Sequence, residues 1–158
     1  MKSGIDSMSQ LVVTNYHKTE INSKRETMMK LTTAQALLSK VQLEAIGNQQ
    51  TIAAAIVDAH GDLVAFMKMD GCSPQAALLA QNKAYTSARD RQPSGNLGQW
   101  ARETGKDLSY WTDPRITGFK GGMPIEINQQ VIGAIGISGL SEDEDEQLAV
   151  LALESIVD

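Results

Sequence analysis

Few residues in this chain are suited to chemistry. The candidates are two histidines, His17 and His60, one cysteine, Cys72, and Lys83, which stands among alanines and leucines. No CxxC, HxxH or HExxH spacing occurs, and two histidines cannot build a multi-histidine metal centre within one chain. His60, in Ala59-His60-Gly61-Asp62, could ligate haem iron or shuttle a proton, since a neutral imidazole is available near neutral pH. A solvated turn histidine is the simpler account. Lys83 either snorkels or has a partner. Beside a carboxylate it could hold an anionic substrate, or the two could form a purely structural ion pair. Asp70, at the end of a strand-like run, is an available acid.

The remaining candidates have bland readings beside the chemical ones. Gly118-Phe119-Lys120-Gly121-Gly122 has no helix after it, so it is not a strand-to-helix phosphate loop. The Gly121 and Gly122 amides could still face an oxyanion. The run Glu142-Asp143-Glu144-Asp145-Glu146 could bind a hard cation, with Glu142 and Asp145 on one helix face. A helix start already accounts for such a run, because acids complement the positive end of the dipole. Cys72 lies near a helix start, where a thiolate is favoured, but no histidine is close in sequence. Met67 and Met69 share a face by period 2, as core filling or as a ligand wall.

The elements that position these residues follow from periodicity. Ala34, Leu37, Leu38, Val41 and Ala45 recur at helical spacing between an N-cap at Thr32 or Thr33 and a stop at Gly47. Residues 51–58 and 63–69 read as a hairpin turning at Gly61. Ser73-Pro74 opens a second helix that ends near Arg89. Gln92-Pro93-Ser94-Gly95 breaks the chain, a short helix follows from Leu97 to Thr104, and residues 105–114 are irregular. Strands are expected at 116–119, 121–127 and 131–138, the last two as a second hairpin. Gly133 and Gly136 fall on opposite strand faces, each admitting a close neighbour, a packed helix or a ligand. Ser141 and Glu144 form a capping box for the last helix. Hairpins rather than crossovers imply an α+β fold with a mainly antiparallel sheet flanked by helices, not a doubly wound nucleotide fold.

Composition narrows the function classes. A chain of 158 residues has room for one core, and an aromatic content of 4% means that Ala, Leu, Ile, Val and Met must build it. A net charge of -5 without a basic run excludes nucleic acid as an expected partner. The longest apolar stretch, residues 131–140, is too short and glycine-broken to span a membrane. Residues 1–30 are polar and aperiodic, without a signal-peptide core, and read as a flexible extension to a domain over 31–157. A lone cysteine and the absence of a leader point to the cytoplasm.

Five phrases in order resemble one family: residues 56–65 (IVDAHGDLVA), Met69-Asp70-Gly71, residues 83–88 (KAYTSA), Gly121-Gly122-Met123-Pro124-Ile125, and residues 131–139 (VIGAIGISG). Together they resemble the GlcG/HbpS-like family, also labelled DUF336 or haem-degrading. The resemblance implies a three-layer α/β/α, profilin-like or PAS-like fold with a five-stranded antiparallel sheet, assembled as dimers up to octamers. It places the family's lysine at Lys83, its Gly-Gly-x-Pro loop at Gly121, Gly122 and Pro124, and the acid of its final helix at Asp145. Some haem-binding relatives carry a histidine on the first helix; residues 32–46 here contain none.

The expected function is that of a small-molecule or cofactor-binding accessory protein of a catabolic pathway, with haem or another tetrapyrrole as a candidate ligand. The expected ligand-binding residues are Lys83, Gly121, Gly122, Pro124, His60, Asp70 and Met69. Two alternatives stand beside it. One is an enzyme acting on a small hydroxy- or keto-compound with Lys83 or His60 as base, and the other is a structural oligomerisation module.

Overall fold

The computed structural model describes residues 27–156 together with Thr14, Lys18 and Thr19. The extension expected over residues 1–30 falls largely outside the described residues, and His17 lies outside them. Met29, at its end, is buried in the core. The elements are α1 (Leu31–Gly47), β1 (Ala53–Asp58), β2 (Leu63–Lys68), α2 (Pro74–Asp90), α3 (Ser94–Thr104), a 3-10 turn (Leu108–Trp111), β3 (Gly122–Ile127), β4 (Gln130–Ser138), α4 (Glu142–Leu153) and a final 3-10 turn (Glu154–Ile156).

The helix boundaries reflect local chemistry. The α1 helix starts at Leu31 with Lys30 as N-cap and no side-chain cap, earlier than an N-cap at Thr32 or Thr33 would give. Burial of Met29 brings the chain in at that point, and the exposed first turn leaves its free N–H groups to water. The α2 helix opens as its sequence dictates: Ser73 Oγ accepts from Ala76 N at 3.1 Å, Pro74 follows, and Arg91 closes the helix in the left-handed region. The α4 helix has the full capping box, with Ser141 N donating to Glu144 Oε2 at 3.1 Å. The α3 helix begins at Ser94, so the break between helices is only three residues long.

Among the described residues the sheet has four strands in the order β2-β1-β4-β3, all neighbours antiparallel. The fifth strand that the family resemblance implied is not found among the described residues. Residues 116–119 have no regular structure and pair with no strand, because side chains take their backbone groups: Thr117 N donates to Thr86 Oγ1 at 3.0 Å, and Ser94 Oγ donates to Phe119 O at 2.6 Å. Period 2 sorts the two faces of the sheet. Ala53, Ala55, Val57 and Ala134 meet Ala76, Ala80, Ala84 and Ala88 of α2. Ala54, Ile56, Ile135 and Ile137 meet Leu37, Leu38 and Val41 of α1 and Leu148 of α4. Small residues on the first face let α2 approach closely, and larger ones on the second supply most of the apolar burial, about 1.5–3 kcal/mol for each large side chain.

Candidate functional site

On the inner side of α2, Lys83 enters the protein rather than leaving it. Lys83 and Asp145 are each 2% exposed, with Nζ 2.8 Å from Asp145 Oδ2. The ammonium also donates to Ile137 O at 2.9 Å, and Leu140 N donates to Asp145 Oδ1 at 3.1 Å. Burial pushes the Asp145 carboxyl above its ordinary range, against the pull of Lys83. The pair fastens α2 to the start of α4 across the end of β4.

Gly121 covers this pair. Its φ is +116°, and a Cβ there would lie 3.0 Å from Lys83 Nζ and 2.9 Å from Asp145 Cβ, so glycine is required for both backbone and space. Gly121 O accepts from Ile137 N at 2.9 Å, and Gly122 N donates to Ser94 Oγ at 2.9 Å. Lys120 N donates to Glu142 Oε1 at 2.9 Å, while Lys120 Nζ reaches Asp143 at 2.6 Å. Gly118 packs against Gly98 of α3. Residues 117–122 are thus held by α2, α3 and α4 together.

The other expected site residues do not join this group. Pro124 is half-buried within β3 opposite Ala134. Met69 is half-buried and packs with Met67 against the core, while Asp70 is exposed. Glu142 and Asp145 diverge, one oxygen of Glu142 on the Lys120 amide and Asp145 on Lys83, and an ammonium already stands where a cation would sit. Among the described residues no group of three potential metal ligands forms. Burial pushes the Cys72 thiol up, which keeps it protonated despite its place before α2.

His60 sits on the β1–β2 turn with its side chain 84% exposed. Asp58 Oδ1 shapes the turn by accepting from His60 N at 2.8 Å and Asp62 N at 3.0 Å. Gly61, at φ +91°, lies against the Tyr85 ring, where a Cβ would come within 2.6 Å. Tyr85 centres a polar cluster. Its hydroxyl donates to Asp113 Oδ2 at 2.5 Å and accepts from Arg115 Nη2 at 2.6 Å, while the Arg115 guanidinium stacks 3.8 Å from the ring centroid. The Tyr85 bond, helped by Arg115, holds the Asp113 carboxyl down at about 2, and the same bond raises Tyr85.

Beyond this cluster lies a cleft of about 390 Å³ lined by Trp100, Lys106, Tyr110 and Trp111. The two indoles meet edge to face, centroids 4.8 Å apart. Trp111 Nε1 donates to Asp90 Oδ1 at 3.1 Å, which fixes that ring to the end of α2. Lys106 Nζ lies 5.9 Å from the Trp100 centroid, and no described carboxylate pairs with it. None of these four residues stands out in the sequence as chemistry. The available signal was concentration: in a chain of low aromatic content, both tryptophans and one of three tyrosines fall between positions 100 and 111.

Comparison with known proteins places this architecture. A family model described as haem degrading protein, HbpS-like, matches residues 29–154. The protein GlcG of Escherichia coli strain K12 is 34% identical over 105 residues, covering 66% of this chain and 77% of GlcG. The crystal structure of the Klebsiella pneumoniae protein ORFY superposes with a TM-score of 0.75 at 27% identity, covering 82% of this chain and 90% of that one. A crystal structure of a PduOC–haem complex superposes with a TM-score of 0.75 at 23% identity, covering 81% and 94%, which speaks for the fold alone. No described helix is long and apolar enough to cross a membrane.

Proposed function

The chain belongs to the HbpS-like family, and we propose that it is a small-molecule-binding accessory protein of a catabolic pathway whose ligand is a planar tetrapyrrole such as haem. The observation that carries this reading is the cleft lined by Trp100, Lys106, Tyr110 and Trp111. At about 390 Å³ it falls within the usual range for ligand sites, with aromatic walls and one cation. Those residues suit the ring of a tetrapyrrole, with the face of one indole for its plane, the perpendicular indole against its edge and Lys106 for a propionate. They suit its iron less well, since the cleft is lined by no imidazole, thiol or thioether and offers only the Tyr110 hydroxyl.

Lys83, Gly121, Gly122 and Asp145 serve in this reading as the brace that sets α2 and the 117–122 loop. The enzymatic alternative needs a free base, whereas the Lys83 ammonium already donates to Asp145 and Ile137, and His60 is exposed on a separate turn. The binding protein is a homo-oligomer in this reading, between a dimer and an octamer.

Native mass spectrometry of the full chain titrated with hemin reads both points at once. The expected spectrum is a multiple of 17.1 kDa retaining hemin, with a shifted absorption band saturating at stoichiometric hemin in parallel solution. A monomer that retains none would overturn the reading.

A further inference from the structure

We infer that the cleft at Trp100 and Trp111 selects planar, carboxylate-bearing ring systems by stacking and through the Lys106 ammonium, with no imidazole, thiolate or thioether bond to iron, so that a metal-free porphyrin binds as well as an iron porphyrin. This rests on the proposed ligand class and goes beyond it by assigning what is recognised. Three observations lead to it.

The first is rigidity. Trp111 is tied to Asp90, Asp90 Oδ2 in turn accepts from Gln92 Nε2 at 2.5 Å, and Trp100 abuts Trp111 at an interplanar angle of 89°. Aromatic walls held before a ligand arrives lose little conformational freedom on binding. The second is charge. In a chain of net charge -5, Lys106 is an exposed cation at an aromatic wall without a carboxylate partner among the described residues. An ammonium in that position favours a ring that carries an acid over a neutral one.

The third is the placement of the metal-binding side chains. His60, the one histidine among the described residues, belongs to the β1–β2 turn, is 84% exposed and does not line the cleft. Cys72 is buried with its thiol protonated, and Met69 packs on the core. Among the described residues, His60, Cys72 and Met69 thus stand apart from the residues that could hold the ring, where the Tyr110 hydroxyl is the lone oxygen donor that iron could meet.

Because both tryptophans line the cleft, quenching of intrinsic fluorescence reads occupancy directly. The test titrates the full chain with hemin, with metal-free protoporphyrin IX and with 2-naphthoate, and repeats each series with Lys106→Glu and with the double variant His17→Ala/His60→Ala. The two porphyrins are expected to give Kd values within about threefold of each other, and reversing the charge of the exposed Lys106 is expected to weaken both by about tenfold. The histidine variant is expected to leave both unchanged. Naphthoate binding that depends on Lys106 while neither porphyrin binds would support the cleft chemistry and overturn the tetrapyrrole reading. Binding of hemin but not protoporphyrin, loss of hemin in the histidine variant, or indifference to Lys106→Glu would overturn this inference alone. Binding of none of the three would overturn both.

Discussion

Lys83 and Asp145 occupy a place where neither charge is tolerable alone, at 2% exposure and 2.8 Å apart. Removing one partner strands the other: Lys83→Met is expected to cost about 3–5 kcal/mol in urea unfolding, and adding Asp145→Leu to recover most of it. A double variant as unstable as the single one would show that the ammonium matters through Ile137 O instead. Lys83 was legible in the sequence because a lysine interrupts an apolar helix stripe. Its partner was not legible from spacing: Asp145 is 62 positions away, and Asp70 is as plausible an acid by pattern alone. The acidic run marked Asp145 as a cation candidate and the family resemblance marked it as a site residue, but neither paired it with Lys83.

At the scale of elements, the segment 105–121 has almost no regular structure and is held by side chains. Asp113 and Arg115 tie it to Tyr85 of α2, Trp111 ties it to Asp90, and Thr86 and Ser94 take its later backbone groups. The Asp113 carboxyl is held at about 2, below its ordinary 3.8, so the folded state releases this proton more readily than the unfolded chain. Its contribution is complete above the unfolded value and is lost as pH falls toward about 2. Asp113→Asn should therefore flatten the dependence of stability on pH over that window, measured by urea unfolding at successive pH values; an unchanged slope would mean that the tie does not bear on folding. Periodicity could not reveal this segment, since its order comes from partners outside it. The same cause explains why residues 116–119 pattern as a strand and yet join no sheet.

Across the whole molecule, the position of α2 decides where everything else falls. Gly136 on β4 lies directly under that helix, where a Cβ would strike Ala80 O and come 2.5 Å from Ala84 N. Gly136→Ala is expected to lift α2 and cost about 1–3 kcal/mol, read as a lower urea midpoint with an unchanged slope. A neutral effect would mean that the helix has slack which this packing does not show. The sequence by itself determined the helices, the two hairpins and the caps at Ser73 and Ser141, because these follow from local periodicity and short-range hydrogen bonding. The exclusion of residues 116–119 from the sheet, the pairing of Lys83 with Asp145 and the cleft at Trp100 and Trp111 were decided only by tertiary structure. Each depends on which distant groups α2 brings together, and no local pattern encodes that.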